Sequence, residues 1–195
     1  MNRKALEKVV MASFFGELEA FKPGNVSIYA DGHNMTVADF QKSAKVSVPL
    51  LCEMNSTLGQ RILSSVCATK EAVGSNTNLG MLLLFAPIIM AAEIEYRDSD
   101  ELQKNLEKTL SSIVKTDVEQ IFEAIVIASP GGLGRVNEHD VNKRPDCTLF
   151  EAMDLASSRD SVALQYVNNF NEIFNIGLVE IKNFDKRWNS VKWAT

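Results

Sequence analysis

Cysteine is scarce in this sequence and poorly placed for cross-linking: Cys52, Cys67 and Cys147 make an odd set of three, with no CxxC among them. A disulfide framework and a structural zinc site are both excluded, and a reducing cytoplasm is the expected location. Histidine is scarcer still. His33 and His139 stand alone, without the HExxH or Cys partners that would make them zinc ligands. Cations are in deficit, with 20 Lys+Arg against 25 Asp+Glu for a net charge of -5, so the surplus that neutralises a nucleic-acid backbone is missing. No apolar run is long enough for a bilayer: the longest uncharged one, Leu79 to Ala92, covers 14 residues, where a span takes roughly 20. The N-terminal MNRKALEKVVMASFFGELEAF places Glu7, Lys8, Glu17 and Glu19 among its apolar residues, which a signal peptide core does not tolerate. No segment sustains period-two alternation, so strands are not expected.

What the chain has is helical spacing and a hydrophobic content of 46% over 195 residues, enough for one domain with its own core. Leu6, Val9, Val10, Phe14, Leu18 and Phe21 recur at threes and fours until Lys22-Pro23-Gly24-Asn25 stops the helix. Thr36-Val37-Ala38-Asp39 reads as a capping box opening a helix that continues towards residue 70, with a break near Asn55 or Gly59. Leu79 begins an apolar helix containing Pro87, which removes a backbone donor and bends the rod. Asp98-Ser99-Asp100 caps a polar helix to about Lys115, and Asp117 opens another with Val118, Ile121, Phe122, Ile125 and Val126 on one face. Thr148 to Glu151 is a second capping box. Beyond it Met153 to Phe184 reads as helical, with Val162, Tyr166, Val167, Phe170, Ile173, Phe174, Leu178 and Ile181 as the buried stripe. The fold class is all-α: a single-domain helical bundle over 1–195.

Three glycine-containing breaks interrupt these helices: Lys22 to Met35, Gly74 to Asn78, and Ser129 to Asp146. Helix N-termini offer unbonded N–H groups and a partial positive charge, so "GSNTN" ahead of Leu79 can receive an anion without any lysine. Asn76, Thr77 and Asn78 are candidate ligands there, although Asn and Thr are also ordinary N-cap residues. Lys22 and Asn25 can bring an ammonium and an amide to the same anion. Ser129-Pro130-Gly131-Gly132-Leu133-Gly134 lacks the P-loop spacing, yet Gly131 and Gly132 permit a loop that hugs a phosphate. Arg159 offers a planar fork, and its neighbour Asp160 reads equally as a metal ligand, a general base or an N-cap. Asp140, beside His139, is a candidate for Mg²⁺ bound through water.

Taken in order, "KPGNV" (22–26), Met35 with "DFQKSA" (39–44), "NTNLGMLLLFAPI" (76–88), "ASPGGLG" with His139-Asp140-Val141, and "EAMDLASSRDSVALQYVNNFNEIF" (151–174) resemble the triphosphoribosyl-dephospho-coenzyme A synthase family, most closely its archaeal-type branch. The resemblance implies an all-helical transferase that moves the triphosphoribosyl group of ATP onto the ribose of 3′-dephospho-coenzyme A and releases adenine. It implies ATP and a coenzyme A-type acceptor as partners, with Mg²⁺ accompanying the triphosphate. Asp140 and Asp160 are then the expected catalytic carboxylates, with Glu17 in reserve, while Lys22 and Arg159 hold the triphosphate. Two departures accompany it. The carboxylate that the family carries ahead of the methionine is Asn34 here, and family members continue beyond Trp193-Ala194-Thr195. Other readings stay open at this point: the same chemistry on an acceptor in pterin-type cofactor synthesis, or a non-catalytic nucleotide-binding relative. Apolar stripes left uncovered in such a bundle make a homodimer an expectation as well.

Overall fold

The structure, a computed structural model, describes residues 2–20, 26–29, 35–128 and 147–187. Among these residues it holds nine α-helices and one π-helical turn, and no strand. The helices are α1 (Arg3–Glu19), α2 (Val37–Leu51), α3 (Leu58–Val73), α4 (Leu79–Glu93), α5 (Ser99–Ser111), α6 (Lys115–Ala128), α7 (Leu149–Ser157), α8 (Ser161–Val167) and α9 (Leu178–Arg187), with the π-helical turn at Glu172–Gly177. Helix α3 packs chiefly on α2 and α6, α4 lies against α3 and α5, and α7 pairs with α8.

Local chemistry sets most of these boundaries. Thr36 and Asp39, Thr57 and Gln60, and Thr148 and Glu151 form reciprocal capping boxes at the starts of α2, α3 and α7. Bonds from the amide and hydroxyl of Thr36 hold the Asp39 carboxyl below the usual carboxylate value. Gly74 closes α3 in the left-handed region at φ 74°, where a side chain would be strained. Of the stripe predicted for α1, Leu6, Val10, Phe14 and Leu18 are buried as the spacing predicts, Val9 is exposed, and Phe21 lies outside the described residues. Phe14 stacks at a tilt on Phe85, with ring centroids 5.5 Å apart, and joins α1 to α4. At Gly59 an added Cβ would come within 2.7 Å of the Asp117 backbone, so α3 and α6 cross at a distance that only glycine allows.

Three sequence expectations are corrected. The polar helix stops at Ser111 rather than near Lys115, and the next begins at Lys115 with Asp117 in its first turn. On that helix Val126 is exposed instead of facing inward. The long final helix is in fact interrupted: Asn169 and Phe170 both adopt positive φ, 55° and 56°, which ends α8 before the π-helical turn. The reversal turns Phe170 into the core, against Tyr166 at 5.4 Å, and swings the register so that Ile181 is exposed. Burial of the Phe170 ring returns about 1.5–3 kcal/mol against strain of order 1–3 kcal/mol for each residue in the left-handed region, which asparagine at 169 tolerates better than most.

A buried cation ties the far end of the bundle together. Arg61 on α3 is 1% exposed. Its Nε donates to the Ser56 carbonyl at 3.0 Å, Nη1 to the Leu51 carbonyl at 3.3 Å, and Nη2 to Glu93 Oε2 at 3.0 Å. Nη1 also lies 2.8 Å from Glu93 Oε1. The ends of α2 and α4 are thereby fixed to α3. Removing one partner strands a charge in low dielectric, so Glu93→Ala is expected to cost about 3–5 kcal/mol in urea denaturation. Replacing both, as Arg61→Met with Glu93→Ala, is expected to recover a large part of that loss.

Candidate functional site

The first turn of α4 lies at the base of a cleft of about 280 Å³. Its lining joins Glu17 of α1, Val26, Met35, Phe40 of α2, and Asn76 to Met81. The wall is about evenly polar and apolar, with one carboxylate and a cluster of amides, and the described lining contains no lysine or arginine. Helix α4 begins after Asn78. Leu79 N donates to Asn76 Oδ1 at 3.1 Å, and Leu82 N returns to the Asn78 carbonyl at 2.9 Å. Between them the amides of Gly80 and Met81 donate to nothing among the described residues. Both residues line the cleft, so the positive end of the α4 dipole lies at an open, polar floor.

The turn is held from behind. Thr77 and Asn78 are 9% and 5% exposed, and their polar groups address α2. Thr77 Oγ1 donates to Ser43 Oγ at 2.6 Å, and Asn78 Nδ2 donates to Ser47 Oγ at 3.1 Å. Each serine in turn donates one helical turn back, Ser43 to the Asp39 carbonyl and Ser47 to the Ser43 carbonyl, both at 2.7 Å. Ser65 of α3 adds a bond to the Ser47 carbonyl at 3.1 Å. All of these groups are buried and satisfied, which is the condition under which a polar seam inside a bundle stabilises a unique arrangement.

Pro87 bears on the other side of α4. A proline has no N–H for the carbonyl four residues earlier, which is Leu83. Tyr166 supplies the missing donor, its hydroxyl lying 2.6 Å from the Leu83 carbonyl. Burial pushes the phenol of Tyr166 well above its ordinary value, so it stays a donor. The contact docks α8 on α4, and the place where a Cβ on Gly80 would sit lies 3.7 Å from Val162 Cγ2. The start of α8 therefore meets the first turn of α4.

The sequence candidates divide accordingly. Glu17, Asn76, Thr77 and Asn78 gather at the cleft, although Thr77 and Asn78 direct their hydrogen-bonding groups to α2 rather than outward. Arg159 and Asp160 lie at the start of α8, next to α4 but outside the cleft lining. Asp160 acts as an N-cap, its Oδ1 accepting from Val162 N at 2.8 Å and Ala163 N at 3.3 Å. Lys22, Asn25, Gly131, Gly132 and Asp140 lie outside the described residues. Among the described residues no three His, Cys, Asp or Glu side chains come together as a metal cage. Desolvation pushes the Cys52 thiol up to about 11, so it serves as a small apolar group in the core. Sequence reasoning missed Phe40, Ser43, Ser47 and Tyr166. The spacing of Asp39, Ser43 and Ser47, four residues apart on one face of an apolar helix, was the available signal.

Tyr166→Phe leaves the Leu83 carbonyl buried without its partner and is expected to cost about 1–3 kcal/mol. Adding Pro87→Ala restores a helical N–H to that carbonyl. Urea denaturation of the single and double variants is expected to show most of the loss recovered.

No helix among the described residues is long and apolar enough to cross a membrane. No curated protein and no solved structure matches the chain. A family model does, over residues 3–195: CitG, ATP:dephospho-CoA triphosphoribosyl transferase. With that match running over essentially the whole sequence, and over every helix from α1 to α9, the chain belongs to the CitG family of ATP:dephospho-CoA triphosphoribosyl transferases.

Proposed function

We propose that the cleft formed by α1, α2 and the first turn of α4 is where this chain moves the triphosphoribosyl group of ATP to 3′-dephospho-coenzyme A. The observation that carries the reading is the pair of unbonded amides, Gly80 and Met81, at the N-terminus of α4 and on the cleft floor. Such a floor suits phosphate oxygens, which take backbone N–H bonds and the helix dipole together. Asn76 Nδ2 supplements it at the rim. Val26, Met35, Phe40 and Met81 form an apolar wall suited to the flat adenine ring.

In the transfer, an acceptor ribose hydroxyl forms a bond to C1′ of ATP while the bond from C1′ to the adenine nitrogen breaks. The electron pair leaves with adenine, which takes up a proton, and the hydroxyl proton passes to a base. Positive charge builds on the ribose in between, and a carboxylate beside it stabilises that state. Glu17, half-buried in the cleft, is assigned both the electrostatic role and that of base. Asp160 is given a structural role at α8, with Arg159 next to it as a second contact for phosphate. Lys22, Asn25, Gly131 and Gly132 keep their proposed places around the nucleotide, and Asp140 keeps its own as a second carboxylate for catalysis and for Mg²⁺. Mg²⁺ would arrive with the nucleotide and spread the triphosphate charge. Glu17 is the one carboxylate in the described lining that could share in holding it, which suits an ion bound mainly by phosphate and water.

Incubation of the protein with ATP and 3′-dephospho-coenzyme A is expected to release adenine, read by chromatography; ADP or pyrophosphate in its place rejects the reading. Glu17→Gln is expected to slow adenine release by about 10²–10⁴-fold while ATP still binds. Unchanged turnover would remove Glu17 from the chemistry.

A further inference from the structure

An N-cap asparagine ordinarily turns its side-chain oxygen onto the second or third amide of its own helix. In α4 those amides belong to Gly80 and Met81, and Asn78 stands at the cap position without making that bond. Its side chain is held elsewhere. The Ser47 proton is committed to the Ser43 carbonyl at 2.7 Å, so Ser47 Oγ can only accept, and the group it receives is the Asn78 Nδ2 at 3.1 Å. This chemistry fixes which end of the Asn78 amide faces α2. The neighbouring rung, Thr77 to Ser43 at 2.6 Å, pins the preceding residue in the same way. Both contacts lie within the core: Ser43 and Ser47 are 0% exposed.

We propose that Ser47 is a positioning residue for the transfer reaction, which withholds Asn78 from capping α4 and so keeps the Gly80 and Met81 amides open for the triphosphate. The inference rests on the nucleotide cleft proposed above. The Asn78 backbone stands at φ -146°, ψ 12°, away from the extended region of a capping residue; without the Ser47 hydroxyl its side chain is released, and a rotation about ψ then lets it close on its own helix. The amides are then occupied by a neutral internal acceptor, and the helix becomes better capped while the cleft loses its two donors. Stability and binding thus move in opposite directions, which a merely structural serine does not produce. Ser65 is the internal control, being equally buried and bonded to the Ser47 carbonyl without touching the turn.

The test uses the whole chain with inorganic tripolyphosphate and Mg²⁺, followed by calorimetry, and thermal unfolding without ligand. Ser47→Ala is expected to weaken binding about tenfold or more, as befits two competing donor bonds, with a melting temperature equal to or above that of the parent. Ser65→Ala is expected to bind as the parent does. Adding Asn78→Ala to Ser47→Ala removes the competing cap and is expected to restore binding towards the parent level. Parent-like binding by Ser47→Ala, a double variant weaker than the single one, or no binding by the parent overturns the proposal. Adenine release is read separately: its absence, with the binding order intact, rejects the transferase reading and leaves the role of Ser47 standing.

Discussion

Helix α4 sets the terms for the rest of the molecule. Almost every residue from Leu79 to Ala92 is apolar, so the helix is stable only when surrounded, and α1, α2, α3, α5 and α8 all pack on it. A helix packed on by five others still leaves its first amides without partners, and burying those amides unbonded would be costly. The chain resolves the conflict by ending the burial at Asn78. Behind that point the serines of α2 absorb the polar side chains; ahead of it the amides of Gly80 and Met81 open on the cleft. The same helix supplies part of the core and the floor of the cleft.

Much of this organisation is legible in the sequence because it is local. Capping boxes at Thr36 and Thr148 and the apolar period of α1 are each encoded within a few residues, and each appears where its chemistry places it; the capping box at Thr57 and the left-handed Gly74 are as local but were not read. The break after α8 was not read, since a hydrophobic stripe continues through it; the run Asn168-Asn169 was the local hint, asparagine being tolerant of the left-handed region. The polar turn at 74–78 was read as a candidate site, but the direction of its side chains was not read. Whether Thr77 and Asn78 face a ligand or a neighbouring helix depends on Ser43 and Ser47, more than 30 residues away, and single-chain periodicity carries no information about that pairing. Tyr166 was read as a buried residue, as it is, but its bond to Leu83 was not, for the same reason: Pro87 announces an orphaned carbonyl, and only tertiary packing says which donor reaches it.

The charge balance of the cleft bears on how it would hold the nucleotide proposed for it. The described lining offers Glu17 and no cation, in a chain of net charge -5. At an effective dielectric of about 20, a carboxylate and one phosphate charge roughly 8 Å apart repel by about 2 kcal/mol. A helix N-terminus returns about 0.3–1 kcal/mol at an exposed site and up to about 2 where it is partly buried. The α4 terminus therefore offsets one such repulsion, not the several that a triphosphate brings. On the proposed reading the nucleotide has to enter with its own counter-ion, and the remaining work of α4 is directional: two amides at fixed positions choose which oxygens lie at the floor, and hence where C1′ stands relative to Glu17. Directional control of this kind fails if the helix start shifts by a fraction of an ångström. That is a physical reason for anchoring the start of α4 twice, to α2 through the serines and to α8 through Tyr166.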